Sequence, residues 1–256
     1  SNDKKGKFVK NVLRKNKIKC NFFSETSRPT TDKNTFISTT YRLLKVDTLS
    51  NAPINEDTLT KILNKVKNEK TQITVFSDFR HGIFNPNSTK KLISAIPKKI
   101  FKTADSQVAS RWGNITEFKN FDLLTPNEKE ARFSLGDQDS TVSGLAGLIL
   151  EKTKYKNLIL KLGSRGIFCN GMRGKTMSPF AVGVFTDNVV DAVGSGDALL
   201  AYATLSLKVS NSLMIASILG SIAASCACEI EGNEPITIDT INSKIKEIQK
   251  KINYTH

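Results

Sequence analysis

The sequence lacks the features that mark membrane-spanning and secreted proteins. No apolar run is long enough to cross a bilayer, and no secretory signal peptide is visible. The 256 residues include only 4 cysteines, which are too scattered for a disulfide framework. Cys226 and Cys228 lie close together in a predicted helix but point to different faces, which is poor geometry for a metal. We therefore predict a cytoplasmic protein with reduced thiols and no membrane partner.

The sequence is short of acidic residues, yet it contains no dense basic block. Its 38 Lys and Arg residues oppose 24 Asp and Glu residues, which gives a formal net charge of +14. The lysines are scattered among asparagines, a bias that base composition alone would produce. A basic surface favours anionic partners such as nucleotides, sugar phosphates or nucleic acid. Nucleic acid is the least favoured of these, because no aromatic RNA-binding signature or recognition-helix motif is present.

Apolar strand-like runs alternate with helical patterns from residue 54 onward. Predicted strands cover residues 73–78, 99–105, 121–125, 158–162, 167–169 and 182–185. Predicted helices cover residues 5–18, 54–68, 89–96, 128–135, 144–154, 212–228 and 238–252, and another follows residue 197. This alternation predicts an α/β fold, a three-layer sandwich around a mostly parallel sheet.

Residues 20–48 differ from the rest because they are rich in threonine and other strand-forming residues. We predict two or more strands here, separated by a turn at Thr31-Asp32-Lys33-Asn34. These strands would form a small β lid. No internal repeat or interdomain linker is visible, so we predict a single domain over residues 1–256.

The segment Asp191 to Asp197 places two glycines and a serine directly before a long apolar helical run. A loop of Gly194, Ser195 and Gly196 would present backbone N–H groups at a helix N-terminus, which attracts phosphate. Asp197 would repel that phosphate unless its carboxylate accepts a proton from an attacking hydroxyl. The alternative is that Asp197 only caps the helix and the glycines only form a tight turn.

Polar residues also end several of the predicted strands. Asp78, Asp105, Asn127, Glu130 and Gly163 occupy these positions. Ligands of parallel sheets collect at the carboxyl ends of the strands, which makes these residues candidates for a site. The alternative for the two aspartates is a structural role as strand-end or helix-capping carboxylates.

Several segments resemble one family in order and spacing. Residues 191–197 resemble the D-T-x-G-A-G-D signature of the ribokinase-like (PfkB) carbohydrate kinases. Residues 124–131 resemble the family's T-P-N-x-x-E-A segment, and residues 158–166 resemble its nucleotide strand and turn. Residues 76–82 are similar to a segment in the kinase half of the bacterial heptose kinase/nucleotidyltransferase enzymes. Residues 27–34 and 43–47 are similar to the same subgroup.

This resemblance implies transfer of the ATP γ-phosphoryl group to a hydroxyl of a sugar or sugar phosphate, most simply a heptose. Such a reaction would serve the synthesis of lipopolysaccharide precursors. The resemblance implies that Asp197 is the catalytic base and that the N–H groups of residues 194–196 form an anion hole. It implies that Asn127 and Glu130 organise Mg²⁺ and its water, with Glu130 as the metal ligand.

The remaining roles follow from the same resemblance. The nucleotide would lie beside Lys161, Gly163 and Gly166. Asp191 and Ser221 would also lie on the nucleotide side. Asp78 and Asp105 would bind the sugar. The resemblance also leaves a monovalent cation open as a further cofactor. The small-residue helix containing Ala216, Gly220, Ser221, Ala223 and Ala224 would wall the adenine pocket, although close helix packing explains each of these residues equally well.

The sequence departs from the family pattern at a few positions. Ala192, Ser195 and Lys161 replace the usual Thr, Ala and Thr. The family's N-terminal strand and glycine-rich segment are expected to be absent, which would leave an exposed sheet edge suited to a homodimer. Two alternatives to a sugar kinase therefore stay open. One is a non-catalytic relative that binds nucleotide or sugar phosphate, and the other is a basic nucleic-acid-binding protein.

Overall fold

The structure is a computed structural model that describes residues 1–38, 41–107, 114–173 and 176–253. The chain divides into two compact units. The first contains Ser1–Thr71 and Arg80–Lys98, and the second contains Gln72–Phe79 and Lys99–His256.

Within its described residues, the first unit contains three helices and a two-stranded sheet. Its helices are α1 (Lys4–Lys15), α2 (Glu56–Asn68) and α3 (Pro86–Ala95), and its strands are β1 (Asp32–Ser38) and β2 (Tyr41–Thr48). Each helix begins at a side chain that satisfies a free backbone N–H group: the carboxylate of Asp3 accepts from Gly6, and the amide oxygen of Asn55 accepts from Thr58. Asn85 caps α3 in the same way, with proline in the first turn.

β1 and β2 pair antiparallel, and this hairpin corrects one prediction. The expected turn at residues 31–34 is wrong, because Asp32, Lys33 and Asn34 lie inside β1. Those residue types favour turns, but both strands are largely exposed, so no buried face imposes apolar alternation on β1. Residues 39–40, which connect the two strands, lie outside the described residues.

The second unit is built on a sheet of seven strands within the described residues. The strands are β3 (Ile73–Asp78), β4 (Phe101–Ser106), β5 (Leu123–Leu124), β6 (Asn157–Lys161), β7 (Ile167–Arg173), β8 (Thr176–Met177) and β9 (Phe180–Val182). The order is β3-β4-β5-β6-β7-β8, and β9 also pairs with β7. β3 to β6 are parallel, whereas β7, β8 and β9 pair antiparallel.

The helices of the second unit pack against the sheet and against one another. They are α4 (Glu128–Leu135), α5 (Val142–Thr153), α6 (Ser195–Ser210), α7 (Leu213–Cys228) and α8 (Ile238–Asn253). Ile159 of β6 belongs to a buried cluster with α6 and α7. Leu158 and Leu160 point to the opposite face and are also fully buried. The predicted α/β sandwich around a mostly parallel sheet is therefore confirmed.

The sequence prediction is less accurate after β7. The predicted strand at residues 182–185 is wrong beyond Val182, where β9 ends. The backbone N–H of Phe185 instead donates to the hydroxyl of Ser225, 3.2 Å away on α7. The two-residue β8 was not predicted. All four cysteines are free, and within the described residues no helix is long and apolar enough to span a membrane.

Candidate active site

The start of α6 provides the first part of the site. Ser195, Gly196 and Asp197 are the first three residues of the helix, and the residue before them, Gly194, has a left-handed backbone with φ of 81°. Gly194 has no side chain that could cap the first-turn N–H groups. The Ser195 hydroxyl donates to the Ala192 carbonyl oxygen over 2.8 Å, which closes the turn behind the helix start. A helix start of this kind, with glycine as its N-cap residue, is a geometry at which anions can bind.

Gly194 has a second reason to be glycine, which the sequence did not reveal. A Cβ atom built at Gly194 would lie 2.1 Å from the side-chain oxygen of Asn233. Asn233 lies in the loop between α7 and α8, far along the chain from the motif. Asn233 therefore packs directly against the loop that leads into α6.

The start of α4 provides the second part. The side-chain oxygen of Asn127 accepts from the Glu130 N–H over 2.8 Å, and a Glu130 carboxylate oxygen accepts from the Asn127 N–H over 2.6 Å. This reciprocal capping box fixes both predicted residues at the helix N-terminus. The Glu130 carboxyl is buried, and this burial together with the nearby Asp105 charge raises its pKa to about 7, despite the opposing effects of Lys161 and the Asn127 N–H.

Lys161, at the end of β6, lies between the start of α4 and the start of α6. Its backbone N–H donates to Pro126, and its Nζ donates to Asp105 Oδ2 over 2.8 Å. Burial alone would lower the pKa of this lysine, but the charges of Asp105 and Glu130 offset that effect, and the pKa is raised. The Asp197 carboxylate acts on it in the same direction. The ammonium is thus the common partner of three predicted acidic residues.

Gly196 shows how close this ammonium lies to α6. A Cβ atom built at Gly196 would lie 3.2 Å from Lys161 Nζ. The ammonium group therefore sits beside the first turn of α6, where the helix dipole also favours anions. The helix start and the lysine ammonium group therefore lie side by side, with the acidic residues around them.

Asp105 retains one carboxylate oxygen for another partner. Oδ1 is buried and has no hydrogen-bond partner among the described residues, whereas Oδ2 accepts from Lys161. A buried acceptor without a donor is unfavourable by roughly 1–3 kcal/mol. A ligand that supplies a donor or a cation would remove this penalty.

Asp78 lies on the other face of the sheet. In the β3–β4 register, Asp78 stands opposite Ser106, and Asp105 stands opposite Ser77. Because neighbouring residues of a strand point to opposite faces, the two aspartates do not converge. Asp78 Oδ2 instead accepts from Ser106 and from Asn114, at 3.1 and 3.2 Å. Both aspartates were predicted to bind the sugar, but the structure does not bring their carboxylates together.

A cavity of about 550 Å³ opens beside the start of α6. Predicted residues that line it are Lys161, Gly163, Gly166, Ser195, Gly196 and Ser221. Gly163 and Gly166 have φ of 63° and 81°, and a Cβ at Gly166 would lie 2.2 Å from the Val182 carbonyl oxygen. Asp191 is not among the lining residues. Its Oδ1 accepts from the Val193 N–H over 3.0 Å in the turn before α6.

α7 forms one wall of this cavity. Ser221, Ala224, Ser225 and Cys228 line it, with the spacing of residues on one helix face. Among the other small residues of α7, Ala216 lies in the buried core, Gly220 packs against Leu199 and Ala203 of α6, and Ala223 is buried with α8. Part of the small-residue helix therefore lines the cavity, and the rest permits close helix packing.

The residues present fit a magnesium ion held together with a nucleotide. The described residues contain no group of three or more His, Cys, Asp or Glu side chains that could hold a metal alone. Mg²⁺ in phosphoryl-transfer sites usually takes one or two carboxylates, with water and phosphate as its other ligands. Glu130 and the unpartnered Oδ1 of Asp105 match that donor set.

A glycine-bounded helix start, an adjacent ammonium group and a cavity near the strand ends lie together in the second unit of this α/β protein. Comparison with known proteins is consistent with this description. The sequence profile described as "pfkB family carbohydrate kinase" matches residues 2–239. The chain therefore belongs to the pfkB family of carbohydrate kinases.

Individual relatives are distant. The chain is 25% identical over 255 residues to the "Bifunctional protein HldE" of Aliarcobacter butzleri, covering 97% of this chain and 52% of that protein. It is 27% identical over 221 residues to the protein of the same name from Helicobacter hepaticus, covering 79% of this chain and 42% of that protein. The chain thus spans about half the length of the curated relatives it matches.

Solved structures share the fold at low sequence identity. A tetrameric inhibited form of phosphofructokinase-2 from Escherichia coli has a TM-score of 0.77 and 18% identity, covering 96% of this chain and 79% of that one. Arabidopsis thaliana ribokinase complexed with ribose and ATP has a TM-score of 0.70 and 17% identity, covering 96% and 78%. Escherichia coli phosphofructokinase-2 in complex with potassium has a TM-score of 0.67 and 22% identity, covering 80% of this chain and 67% of that one. These similarities establish a ribokinase-like fold.

Proposed function

We propose that this chain transfers the γ-phosphoryl group of ATP to a hydroxyl of a heptose or heptose phosphate. The observation that carries the proposal is the position of Asp197. It is the third residue of α6, at a helix start with no side-chain cap, and its charge acts on the Lys161 ammonium. An anion site with a carboxylate beside it suits proton removal from a hydroxyl that attacks a phosphoryl group.

The proposed chemistry divides among residues of the α6 start. Asp197 accepts the proton of the acceptor hydroxyl as that oxygen attacks phosphorus. The N–H groups of Gly194, Ser195 and Gly196 stabilise the charge that develops on the transferred group, because oriented dipoles away from water need little reorganisation. Asp191 holds the preceding turn through its contact with Val193.

The cavity beside α6 is the proposed nucleotide site. Its volume of about 550 Å³ lies within the usual range for small-molecule pockets. Gly163, Gly166 and Ser221 would contact the nucleotide, while Asn127 and Glu130 would organise Mg²⁺. The ion would neutralise phosphate charge. We retain a monovalent cation as a further cofactor, since one structure of similar fold was determined with potassium.

The acceptor is proposed from the residues and the relatives together. The Oδ1 of Asp105, which has no partner among the described residues, would accept a hydrogen bond from a sugar hydroxyl or help to hold the metal. Asp78 is a second candidate for binding the sugar. The heptose assignment rests on the resemblance of residues 27–34, 43–47 and 76–82, and on the match to proteins named HldE. A role in lipopolysaccharide precursor synthesis would follow from such a substrate.

We also propose that the chain forms a homodimer through the β1–β2 hairpin. Phe36, Leu44 and Val46 share one face of the hairpin and are 56%, 57% and 42% exposed. An isolated two-stranded sheet is marginal unless something covers its apolar face. A second copy of the chain is the proposed cover, and one structure of similar fold is tetrameric. The four free cysteines support a reducing compartment, and we place the protein in the cytoplasm.

The proposed function is tested by measuring ligand-induced stabilisation and phosphoryl transfer on the same sample. We expect Mg-ATP to raise the melting temperature, because it binds only the folded state, and we expect transfer to a heptose or heptose phosphate in preference to hexoses. Stabilisation without transfer to any sugar would instead support a non-catalytic nucleotide-binding relative. Retention of an oligonucleotide at moderate salt, with no response to ATP, would support a nucleic-acid-binding protein.

A further inference from the structure

We propose that Lys161 contacts the terminal phosphate of a bound nucleoside triphosphate and that Asp105 is the residue that positions it. This inference rests on the proposed function and deepens it. It assigns to one side chain the ability to distinguish a nucleoside triphosphate from a diphosphate.

The first observation is the location of the ammonium group. Lys161 lines the cavity proposed for the nucleotide, and its Nζ lies against the first turn of α6 at Gly196. The phosphate group that approaches the Asp197 carboxylate for transfer must also approach this turn. A phosphate held there would therefore come within reach of the ammonium.

The second observation concerns charge. Asp105, Glu130 and Asp197 all act electrostatically on Lys161. Without a cation, these acidic groups would repel the terminal phosphate, which carries more negative charge than any other part of the nucleotide. The ammonium offsets that repulsion at the place where the phosphate arrives. An ammonium is a compact charge with three N–H donors, so one donor can remain on Asp105 while others turn to the phosphate.

The third observation is the ion pair itself. Lys161 ends β6 and Asp105 lies near the end of β4, and β5 separates these two strands in the sheet. The Lys161 side chain therefore reaches across the end of β5 to its partner. The Asp105 side chain is only 7% exposed and that of Lys161 is 16% exposed, so the pair lies in a largely buried setting. Asp105 thereby fixes the direction of a long side chain that has many rotamers.

The test is calorimetric titration with three probes: the non-hydrolysable β,γ-imido analogue of ATP, ADP, and adenosine. Lys161→Met alone would leave Asp105 buried and unpaired, so the main variant is the double substitution Lys161→Met with Asp105→Asn. Asp105→Asn alone keeps the ammonium. The matched control is Lys156→Met, which removes a lysine that pairs with Asp122 over 2.7 Å just before β6.

We expect the double variant to bind the triphosphate analogue about 10- to 100-fold more weakly than the wild type, the range for a charge-assisted hydrogen bond. ADP affinity should change less than about threefold and adenosine affinity less than about twofold, since neither carries the contacted phosphate. Asp105→Asn alone should bind the triphosphate analogue about three- to tenfold more weakly than the wild type, because the ammonium remains but is less well positioned. Lys156→Met should match the wild type with all three probes.

Two results would overturn the inference. One is a double variant that binds the triphosphate analogue as tightly as the wild type does. The other is an equal loss of affinity for all three probes, which would indicate a general disturbance of the cavity. If the wild type binds none of the probes, the proposed function fails, and this inference fails with it. Normal wild-type binding with either overturning result would leave the proposed function intact.

Discussion

The ammonium of Lys161 lies 2.8 Å from a carboxylate oxygen of Asp105, and this ion pair spans three neighbouring strands of the sheet. It connects the end of β6 with the end of β4, beside the start of α6. Through Lys161, the charges of Asp105, Glu130 and Asp197 are coupled. Residues from four separate sequence segments therefore form one electrostatic unit.

Breaking this ion pair on one side should destabilise the fold. Lys161→Met leaves a buried carboxylate without its partner, and such a loss typically costs about 3–5 kcal/mol of unfolding free energy. The double variant with Asp105→Asn should recover at least about half of that loss, since no buried charge remains unpaired. Urea unfolding followed by circular dichroism measures both values. Equal stability of the single and double variants would show that the pair is not coupled.

Glu130 should make the stability of the free protein depend on pH. Burial and the Asp105 charge raise its pKa from 4.5 to about 7, so the folded state binds a proton that the unfolded state has released between these values. Stability contributed by this group is therefore lost as the pH rises through that window. Glu130→Gln keeps a capping side chain but does not titrate.

We expect the decrease in unfolding free energy between pH 5 and pH 8 to be smaller in Glu130→Gln than in the wild type by about 1–3 kcal/mol. The measurement is urea unfolding at both pH values in the presence of a chelator and without nucleotide. Glu151→Gln, an exposed glutamate of α5, serves as the control. An identical pH dependence in the wild type and Glu130→Gln would contradict the raised pKa.

Gly194→Ala should be more destabilising than Gly232→Ala, although both residues have φ of 81°. Alanine in this backbone region costs roughly 1–2 kcal/mol at either position. At Gly194 the added Cβ also meets Asn233, whereas at Gly232, leaving its chain neighbours aside, no atom of the described residues lies within 4 Å of the added Cβ. In thermal unfolding, Gly194→Ala should have a lower melting temperature than Gly232→Ala. The reverse order would show that Asn233 does not pack against the loop.

Much of this architecture could be predicted from the sequence because its central elements are buried. A continuous apolar run predicts β6, and helical spacing predicts α4. β1 was harder to predict, because this strand is exposed and its polar residues are of the types that favour turns. The two-residue β8 is too short to carry any pattern.

The candidate site could be predicted only where neighbouring residues define it. The loop at residues 194–197 and the pair Asn127 and Glu130 each occupy one helix start, so local sequence reveals them. The different orientations of Asp78 and Asp105 depend on strand register, which the sequence does not show. The contact between Asn233 and Gly194 joins distant segments, and no local signal marks it.

The β1–β2 hairpin should control the oligomeric state. Leu44→Lys places a charge on the face shared by Phe36, Leu44 and Val46, so we expect it to shift the chain from dimer to monomer. Thr35→Lys adds the same charge to the opposite face and should leave the dimer intact. Sedimentation equilibrium at several protein concentrations distinguishes these results. A monomeric wild type, or dimers in both variants, would contradict the proposed interface.

The central claim is that Asp197 is the base in phosphoryl transfer, and the turnover of Asp197→Asn tests it most directly. General-base catalysis contributes typically about 10²- to 10⁴-fold, so kcat should fall by at least about 100-fold. Nucleotide affinity should stay within about threefold of the wild type, because asparagine keeps the size of the side chain without its charge. Asp239→Asn, on the exposed first turn of α8, should retain wild-type turnover. A kcat of Asp197→Asn within about twofold of the wild type would contradict the account.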